Sequence, residues 1–107
     1  MRLPTPDDPA ESPVWENYII AQTVESSRGQ IPLHALAMGV EVDGRRIVLR
    51  FQLSELDESD LLDISEIVSE MSALVGDEVE IADIKEVLDQ RSTSPDDGIC
   101  WIFFSRV

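Results

Sequence analysis

A hairpin signal in the first half of the chain constrains its fold more than any other feature. Two runs of apolar residues alternate with smaller or polar residues on either side of Asp43-Gly44; they are Leu36, Met38, Val40 and Val42, and then Ile47, Leu49, Phe51 and Leu53. Asp-Gly between alternating runs is typical of a two-residue type I′ turn. With that turn Val42 pairs with Arg45, and all the apolar side chains fall on one face. The pattern therefore predicts an antiparallel hairpin.

Two segments with helical periodicity flank this hairpin. The first helix is expected at 13–28, with Ser12 as the cap and Gly29 as the terminator. Its apolar stripe consists of Trp15, Ile19, Ile20 and Val24. The second helix is expected between an Asp57 cap and Gly76. Its apolar positions are Leu61, Ile64, Val68, Met71 and Val75, widened by Ile67 and Leu74.

The C-terminal third supplies two further strands. Residues 79–88 read as a strand with imperfect alternation, although 84–88 also fit a helix. The run 99–104 is continuously apolar, which predicts a strand buried on both faces, or one whose outer face meets a helix or a partner. The order is then α-β-β-α-β-β, with the second and third strands parallel because one helix joins them. We expect an α+β domain at 13–107, with a four-stranded, mostly antiparallel sheet and both helices on one face. Residues 1–12 should form a flexible tail.

Composition limits the partners and the compartment. The chain has 107 residues, with 22 Asp and Glu against 8 Lys and Arg, a formal net charge of −14. Such a surface repels nucleic acids and anionic membranes, and it favours a cationic protein. We find no apolar run long enough to span a bilayer and no secretory signal pattern. A lone cysteine, Cys100, agrees with a reducing compartment, so we expect a cytoplasmic protein.

The negative charge is concentrated in residues 54–89, which hold 13 acidic residues and one basic residue. A generally acidic proteome would produce a similar total, but it should spread the charge more evenly. Asp63, Glu66 and Glu70 fall on one face of the second helix, at spacings of three and four residues. We predict a partner-binding surface made of the acids in this region, namely Asp57, Glu58, Asp60, Asp63, Glu66, Glu70, Glu78, Glu80 and Asp83.

Catalytic and metal-binding patterns are weak. The only histidine, His34, has no local nucleophile or orienting carboxylate, and Cys100 sits in the most apolar run. The acids at 57–60 lack the ligand spacing of a calcium loop. We therefore expect no catalytic residues, no metal site and no cofactor. Trp15 and Tyr18 share a helix face, which is typical of a core position or, less often, of a binding anchor.

These residues also carry a family resemblance. The segment 15–20 followed by Gly29, the Asp43-Gly44 hairpin and the helix at 60–74 resemble the immunity proteins encoded beside polymorphic or contact-dependent bacterial toxins. The likeness covers residues 14–81 and departs from the family in the proline-rich tail and at Ser26-Ser27. It implies a cytoplasmic protein that binds and blocks one toxin domain, often a basic nuclease.

The leading hypothesis is thus a non-catalytic, monomeric immunity protein that uses its acidic surface. The alternative is an acidic interaction or regulatory module. Such a module would use an aromatic edge around Trp15 and Trp101, or it would dimerise through an exposed sheet edge. An enzyme that uses His34 is the third class.

Overall fold

The predicted alternation of helices and strands is confirmed by a computed structural model, which describes residues 12–76, 78–94 and 97–105. The elements are α1 (Ser12–Ser27), β1 (Ala35–Asp43), β2 (Arg46–Leu53), α2 (Glu58–Val75), β3 (Glu80–Val87) and β4 (Cys100–Phe104). Residues 84–87, for which a helix was also considered, belong to strand β3. The predicted tail at 1–12 lies outside the described residues except for Ser12, where α1 begins.

The four strands form one mixed sheet in the order β3-β2-β1-β4. β1 is antiparallel to both of its neighbours, and β2 is parallel to β3. The prediction of a mostly antiparallel sheet is therefore wrong, although the expected parallel pairing of the second and third strands is confirmed. The parallel pair arises because β2 and β3 are joined by α2, and a helical crossover returns the chain in the same direction.

The hairpin register differs by two residues from the prediction. Asp43 pairs with Arg46, so the two-residue loop is Gly44-Arg45. Gly44 has a φ of 59°, and glycine at the first loop position is typical of a type II′ turn rather than the predicted type I′. A shift of two residues leaves every side chain on the same face of the sheet. The predicted apolar face is therefore correct except at Leu36. A bulge between Ala35 and Ala37 interrupts the register there, so that Ala35 pairs with Leu53 and Leu36 lies outside the core cluster.

One core cluster joins both helices to this apolar face of β1 and β2. Its buried members are Trp15, Ile19, Met38, Val40, Ile47, Leu49, Phe51, Leu53, Ile64, Ile67 and Met71. Burying a large aliphatic or aromatic side chain contributes roughly 1.5–3 kcal/mol. The helices are consequently held to the sheet by hydrophobic burial.

The buried face of α1 is partly polar. Trp15 and Ile19 are buried as predicted, whereas Val24 is exposed and Thr23 and Ser26 take buried positions. Both hydroxyls donate to the helix carbonyl four residues earlier, over 2.7 Å from Thr23 and 2.8 Å from Ser26. Because these bonds are made within the helix, neither the Thr23 nor the Ser26 hydroxyl is buried without a partner.

The buried face of α2 is rotated relative to the prediction. The helix begins after the N-cap Asp57, as expected, and its buried residues are Asp60, Ile64, Ile67 and Met71. Leu61 and Leu74 are each 44% exposed. An acidic residue thus occupies the position in the buried stripe that the pattern assigned to Leu61. The buried position of Asp60 brings its carboxylate to His34, as described below.

The chain reaches β4 by crossing the outer face of the sheet, opposite the helices. Gln52 on β2 forms two hydrogen bonds with the backbone of Ser92, of 2.6 and 2.9 Å. The indole of Trp101 donates to Asp97 over 3.0 Å. Gly39 on β1 permits the close approach, since a Cβ there would lie 2.5 Å from Ile99 Cγ2.

β4 is an edge strand, and because its residues are at most half-buried, the first of the two expectations for it, burial on both faces, is wrong. It pairs with β1 alone, so its second edge has no strand beside it in the described structure. Its residues are half-buried apart from Phe104, which is 46% exposed. A shift in register between Met38 and Gly39 interrupts the β1–β4 pairing, and such irregularities are common at sheet edges.

Candidate protein-binding surface

The acidic flank of α2, defined as Asp63, Glu66 and Glu70, lies on consecutive turns of one helix. Glu66 and Glu70 are exposed and Asp63 is half-buried. The helix itself contains no Lys or Arg. Among the described residues none of the three carboxylates forms an ion pair. Like charges three and four positions apart on a helix repel each other, so the flank carries uncompensated negative charge.

Four basic side chains of the described residues pair with acids outside α2. Arg28 pairs with Glu25 on α1 over 3.6 Å, and Arg45 pairs with Glu78 over 3.3 Å. Arg50, on the outer face of the sheet, bridges Glu41 and Glu86 at 2.9 and 3.4 Å, and Lys85 pairs with Asp83. These ion pairs neutralise acids of α1 and the sheet. The acidic flank therefore differs from the other acidic regions in two ways: it contains no basic residue, and its acids have no basic partner among the described residues.

The predicted binding surface also includes Glu78, Glu80 and Asp83, which differ from the acidic flank in exposure and in pairing. Glu80 is exposed, and Glu78 is exposed but paired with Arg45. Asp83 lies beside Leu49 in the β2–β3 register, so it is on the helix-bearing face of the sheet and is mostly buried. Their membership of one binding surface stays a prediction.

The N-terminus of α2 uses its acids structurally. Asp57 Oδ1 accepts from the backbone N–H of Asp60 over 2.9 Å, and Asp60 Oδ2 accepts from the backbone N–H of Asp57 over 3.1 Å. This reciprocal arrangement is a capping box, which satisfies N–H groups that have no partner inside the helix. Glu58 is exposed. Asp57 and Glu58 thus keep surface access, while one oxygen of Asp57 is committed to the cap.

Asp60 is fully buried, which corrects the expectation that it belongs to the exposed acidic surface. Its Oδ1 accepts from the backbone N–H of His34 over 3.3 Å, and its Oδ2 lies 2.6 Å from His34 Nδ1. The residue immediately before β1 is thereby joined to the first turn of α2. A buried carboxylate needs such partners because desolvation strongly disfavours an isolated charge.

The imidazole of His34 faces three carboxylates. In addition to the contact with Asp60, its Nε2 lies 2.8 Å from Glu55 Oε1 and its Nδ1 lies 3.7 Å from Asp57 Oδ2. The hydrogen bond with Asp60 raises the pKa of His34 above its ordinary value; burial opposes this, and the charges of Asp60, Glu55 and Asp57 add to it. The ring is therefore charged over a wider pH range than a free histidine.

The pKa of Asp60 moves in the opposite direction. Burial alone would raise it, but the hydrogen bonds from His34 and from the backbone N–H groups outweigh burial and hold the pKa below its usual range. His34, Asp57 and Asp60 each offer one nitrogen or oxygen atom of the kind that binds metal ions, and these three atoms lie within 4.8 Å of one another. Because the His34–Asp60 distance is that of a short hydrogen bond, we interpret these two residues as an ion pair in which Asp60 is the buried partner.

The pairing of His34 with Asp60, which are 26 residues apart, was not predicted from the sequence. A usable signal existed, however. Asp60, Ile64, Ile67 and Met71 follow one another at spacings of three and four residues, which placed an acid on the apolar stripe. A buried acid requires a donor, and the chain has a single histidine.

The two tryptophans do not form the proposed aromatic edge. Trp15 is 6% exposed and donates from Nε1 to the Gly44 carbonyl over 2.8 Å, so it belongs to the core and supports the hairpin turn. Trp101 lies beside Gly39 on the outer face of the sheet, opposite the face that Trp15 covers. Tyr18 is half-buried against Trp15, with ring centroids 6.0 Å apart.

The comparisons with known proteins do not assign a family. No protein-family model matches the chain, and no curated protein matches it either. Within the described residues, neither helix is both long and apolar enough to cross a membrane.

Proposed function

We propose that this protein is a non-catalytic binding protein whose acidic flank on α2 binds a cationic surface of another protein. The observation that carries the proposal is the contrast in pairing. Asp63, Glu66 and Glu70 have no counter-ion in the described structure, whereas Arg28, Arg45, Arg50 and Lys85 all pair with acids outside α2. Mutual repulsion on the flank costs stability, and a partner that supplies Arg or Lys would remove this cost.

The biological role that we propose is that of an immunity protein. The partner is then a bacterial toxin domain, for which a basic nuclease is the best fit to the charge of the flank. Carboxylates spaced along a helix can occupy the positions at which a nuclease binds substrate phosphates. We propose the cytoplasm as the compartment, because the toxin must be neutralised where its substrate lies. This role rests on the sequence resemblance and on the acidic flank together.

The experiment begins with a gene neighbourhood. A large gene whose product ends in a basic domain should lie immediately beside the gene for this chain, and that domain should co-purify with it. The binding variant is Asp63→Lys, Glu66→Lys and Glu70→Lys in one chain. We expect it to lose most of its affinity and most of its salt dependence in titration calorimetry.

A matched control changes the net charge equally. Glu16→Lys, Asp43→Lys and Asp89→Lys replace three exposed acids on α1, in the hairpin and after β3. The control should retain affinity close to that of the wild type. Equal losses in both triple variants would show that binding depends on net charge alone, and unchanged affinity in the flank variant would remove the acidic flank from the proposal.

A second candidate is an acidic interaction module that dimerises through β4. The observation in its favour is the edge position of a strand without charged side chains, with Phe104 46% exposed. Unpaired apolar edges favour strand addition. Sedimentation equilibrium of the isolated chain decides between the candidates, since the immunity protein should sediment as a monomer and the module as a dimer.

A further inference from the structure

His34 has carboxylates at both ring nitrogens, which restricts its protonation state. A neutral imidazole carries one N–H and one lone pair, so it donates to a single acceptor. In the structure Nδ1 lies 2.6 Å from Asp60 and Nε2 lies 2.8 Å from Glu55. Only the imidazolium donates at both positions. With both carboxylates ionised, these two distances therefore fit the charged ring, which donates to both.

We propose that His34 is a proton-operated switch that binds Glu55 when the ring is charged and releases it when the ring is neutral. The two nitrogens are not equivalent. Asp60 is fully buried, whereas the Glu55 side chain is 64% exposed. The proton on Nε2 therefore leaves to solvent, and the proton on Nδ1 stays with the buried Asp60 carboxylate. The lone pair exposed on Nε2 then repels Glu55.

The charged groups around the ring all favour this behaviour. Glu55 and Asp57 come from the loop between β2 and α2, and Asp60 comes from the first turn of α2. No basic side chain contacts the ring among the residues that the structure describes. The raised pKa of His34 agrees with this surrounding of acids. Release of Glu55 thus takes place above the pH at which a free histidine loses its proton.

The consequence is a change in charge at the N-terminus of α2. Deprotonation removes one positive charge and frees the Glu55 carboxylate two residues before the cap Asp57 and three before Glu58. Both of these are predicted partner-binding residues, so a rising pH makes this end of the helix more negative. The switch itself goes beyond the proposed function and does not depend on it, because its only ligand is a proton.

Nuclear magnetic resonance of the histidine ring tests the switch in the full chain. His34 is the only histidine, so its ring signals need no assignment by mutation. We expect a titration midpoint above the ordinary value for histidine, and a neutral ring with its proton on Nδ1. Backbone amide signals of Glu55 and Leu56 should shift with the same midpoint as the ring.

Two neutralising variants separate the specific contact from general charge. Glu55→Gln should move the midpoint to lower pH, while Glu58→Gln, which removes an exposed acid without a contact to the ring, should leave it nearly unchanged. Both positions are exposed, so both variants should fold. Equal midpoints in the two variants, or a neutral ring with its proton on Nε2, would overturn the proposal.

Discussion

Acids at the N-terminus of α2 and acids in its later turns have opposite roles although they lie along one helix. At its N-terminus, Asp57 and Asp60 cap the helix and bind His34. Beginning three residues after Asp60, the acidic flank of Asp63, Glu66 and Glu70 has no partner in the described residues. A count of acidic residues treats these groups alike. Their difference shows that an acid becomes available for binding only when the fold itself supplies no donor for it.

The helix backbone explains where the division falls. The first turn of a helix presents N–H groups without partners and the positive end of the helix dipole, both of which stabilise carboxylates. Later turns have their N–H groups bonded within the helix and offer no donor. Acids of the first turn are therefore stabilising, and acids of the flank are destabilising in the free protein.

Replacing Asp60 should change the stability of the protein more than any other single substitution considered. Replacing it by Asn removes the charge that the ion pair with His34 requires, and it should lower the free energy of unfolding by roughly 2–4 kcal/mol. Asp63→Asn is the control on the flank, where a change within about 0.5 kcal/mol is expected. Urea unfolding measures both. Similar losses in the two variants would erase the distinction between the two groups of acids.

A smaller effect is expected for Asp57→Ala. Loss of an N-cap carboxylate typically costs about 1 kcal/mol, and the same urea assay should show this decrease. Glu58→Ala serves as the control, because the exposed Glu58 side chain accepts no hydrogen bond from the cap. A cap variant as stable as the control would mean that the capping box contributes little in solution.

The pH dependence of stability should follow from the same cluster. The folded pKa of His34 is raised above its ordinary value of about 6.5, so its contribution is complete below about pH 6.5 and is lost as the pH rises through the folded pKa. The folded pKa of Asp60 is lowered, so its contribution is complete above about pH 3.8 and is lost at more acidic pH. Stability from the cluster is therefore greatest between these values.

His34→Gln tests this dependence. The variant should be less stable than the wild type at mildly acidic pH, and the difference should narrow as the pH rises through the titration of the ring. Thermal unfolding followed by circular dichroism across that range measures the difference. If the difference in thermal stability between the variant and the wild type increased with pH, the prediction would be wrong.

The smallest expected effect has the opposite direction. Glu66→Gln removes repulsion with Asp63 and Glu70, so it should increase the free energy of unfolding by about 0.2–0.5 kcal/mol. Glu58→Gln, at the positive end of the helix dipole, should instead decrease it slightly. Opposite changes in the free energy of unfolding for these two exposed glutamates would support the distinction between first-turn acids and the acidic flank. A destabilised Glu66→Gln variant would contradict it.

Local features of the fold were predictable from the sequence. Asp57 was predicted as the cap because capping depends on a few adjacent residues, and the apolar face of the hairpin follows from alternation alone. The register was missed because Asp43-Gly44 and Gly44-Arg45 both provide a glycine for a two-residue turn. Local chemistry does not choose between them, and packing of Trp15 against the turn, with its bond to the Gly44 carbonyl, favours the second.

Long-range features were not predictable in the same way. The His34–Asp60 pair depends on the docking of α2 beside the start of β1, which no local pattern specifies. The position of β4 at the edge likewise depends on the path of the chain across the outer face of the sheet. The acidic flank was predictable because it is a property of helical spacing within a single element.

Carboxyl footprinting measures whether the acidic flank is covered when a partner binds. The free protein and its complex with the basic domain are labelled with a carbodiimide and an amine, and each acid is quantified by mass spectrometry. We expect Asp63, Glu66 and Glu70 to become protected in the complex, while the exposed Glu16 on α1 is labelled equally in both states. Unchanged labelling of the acidic flank, with protection of acids elsewhere, would contradict it.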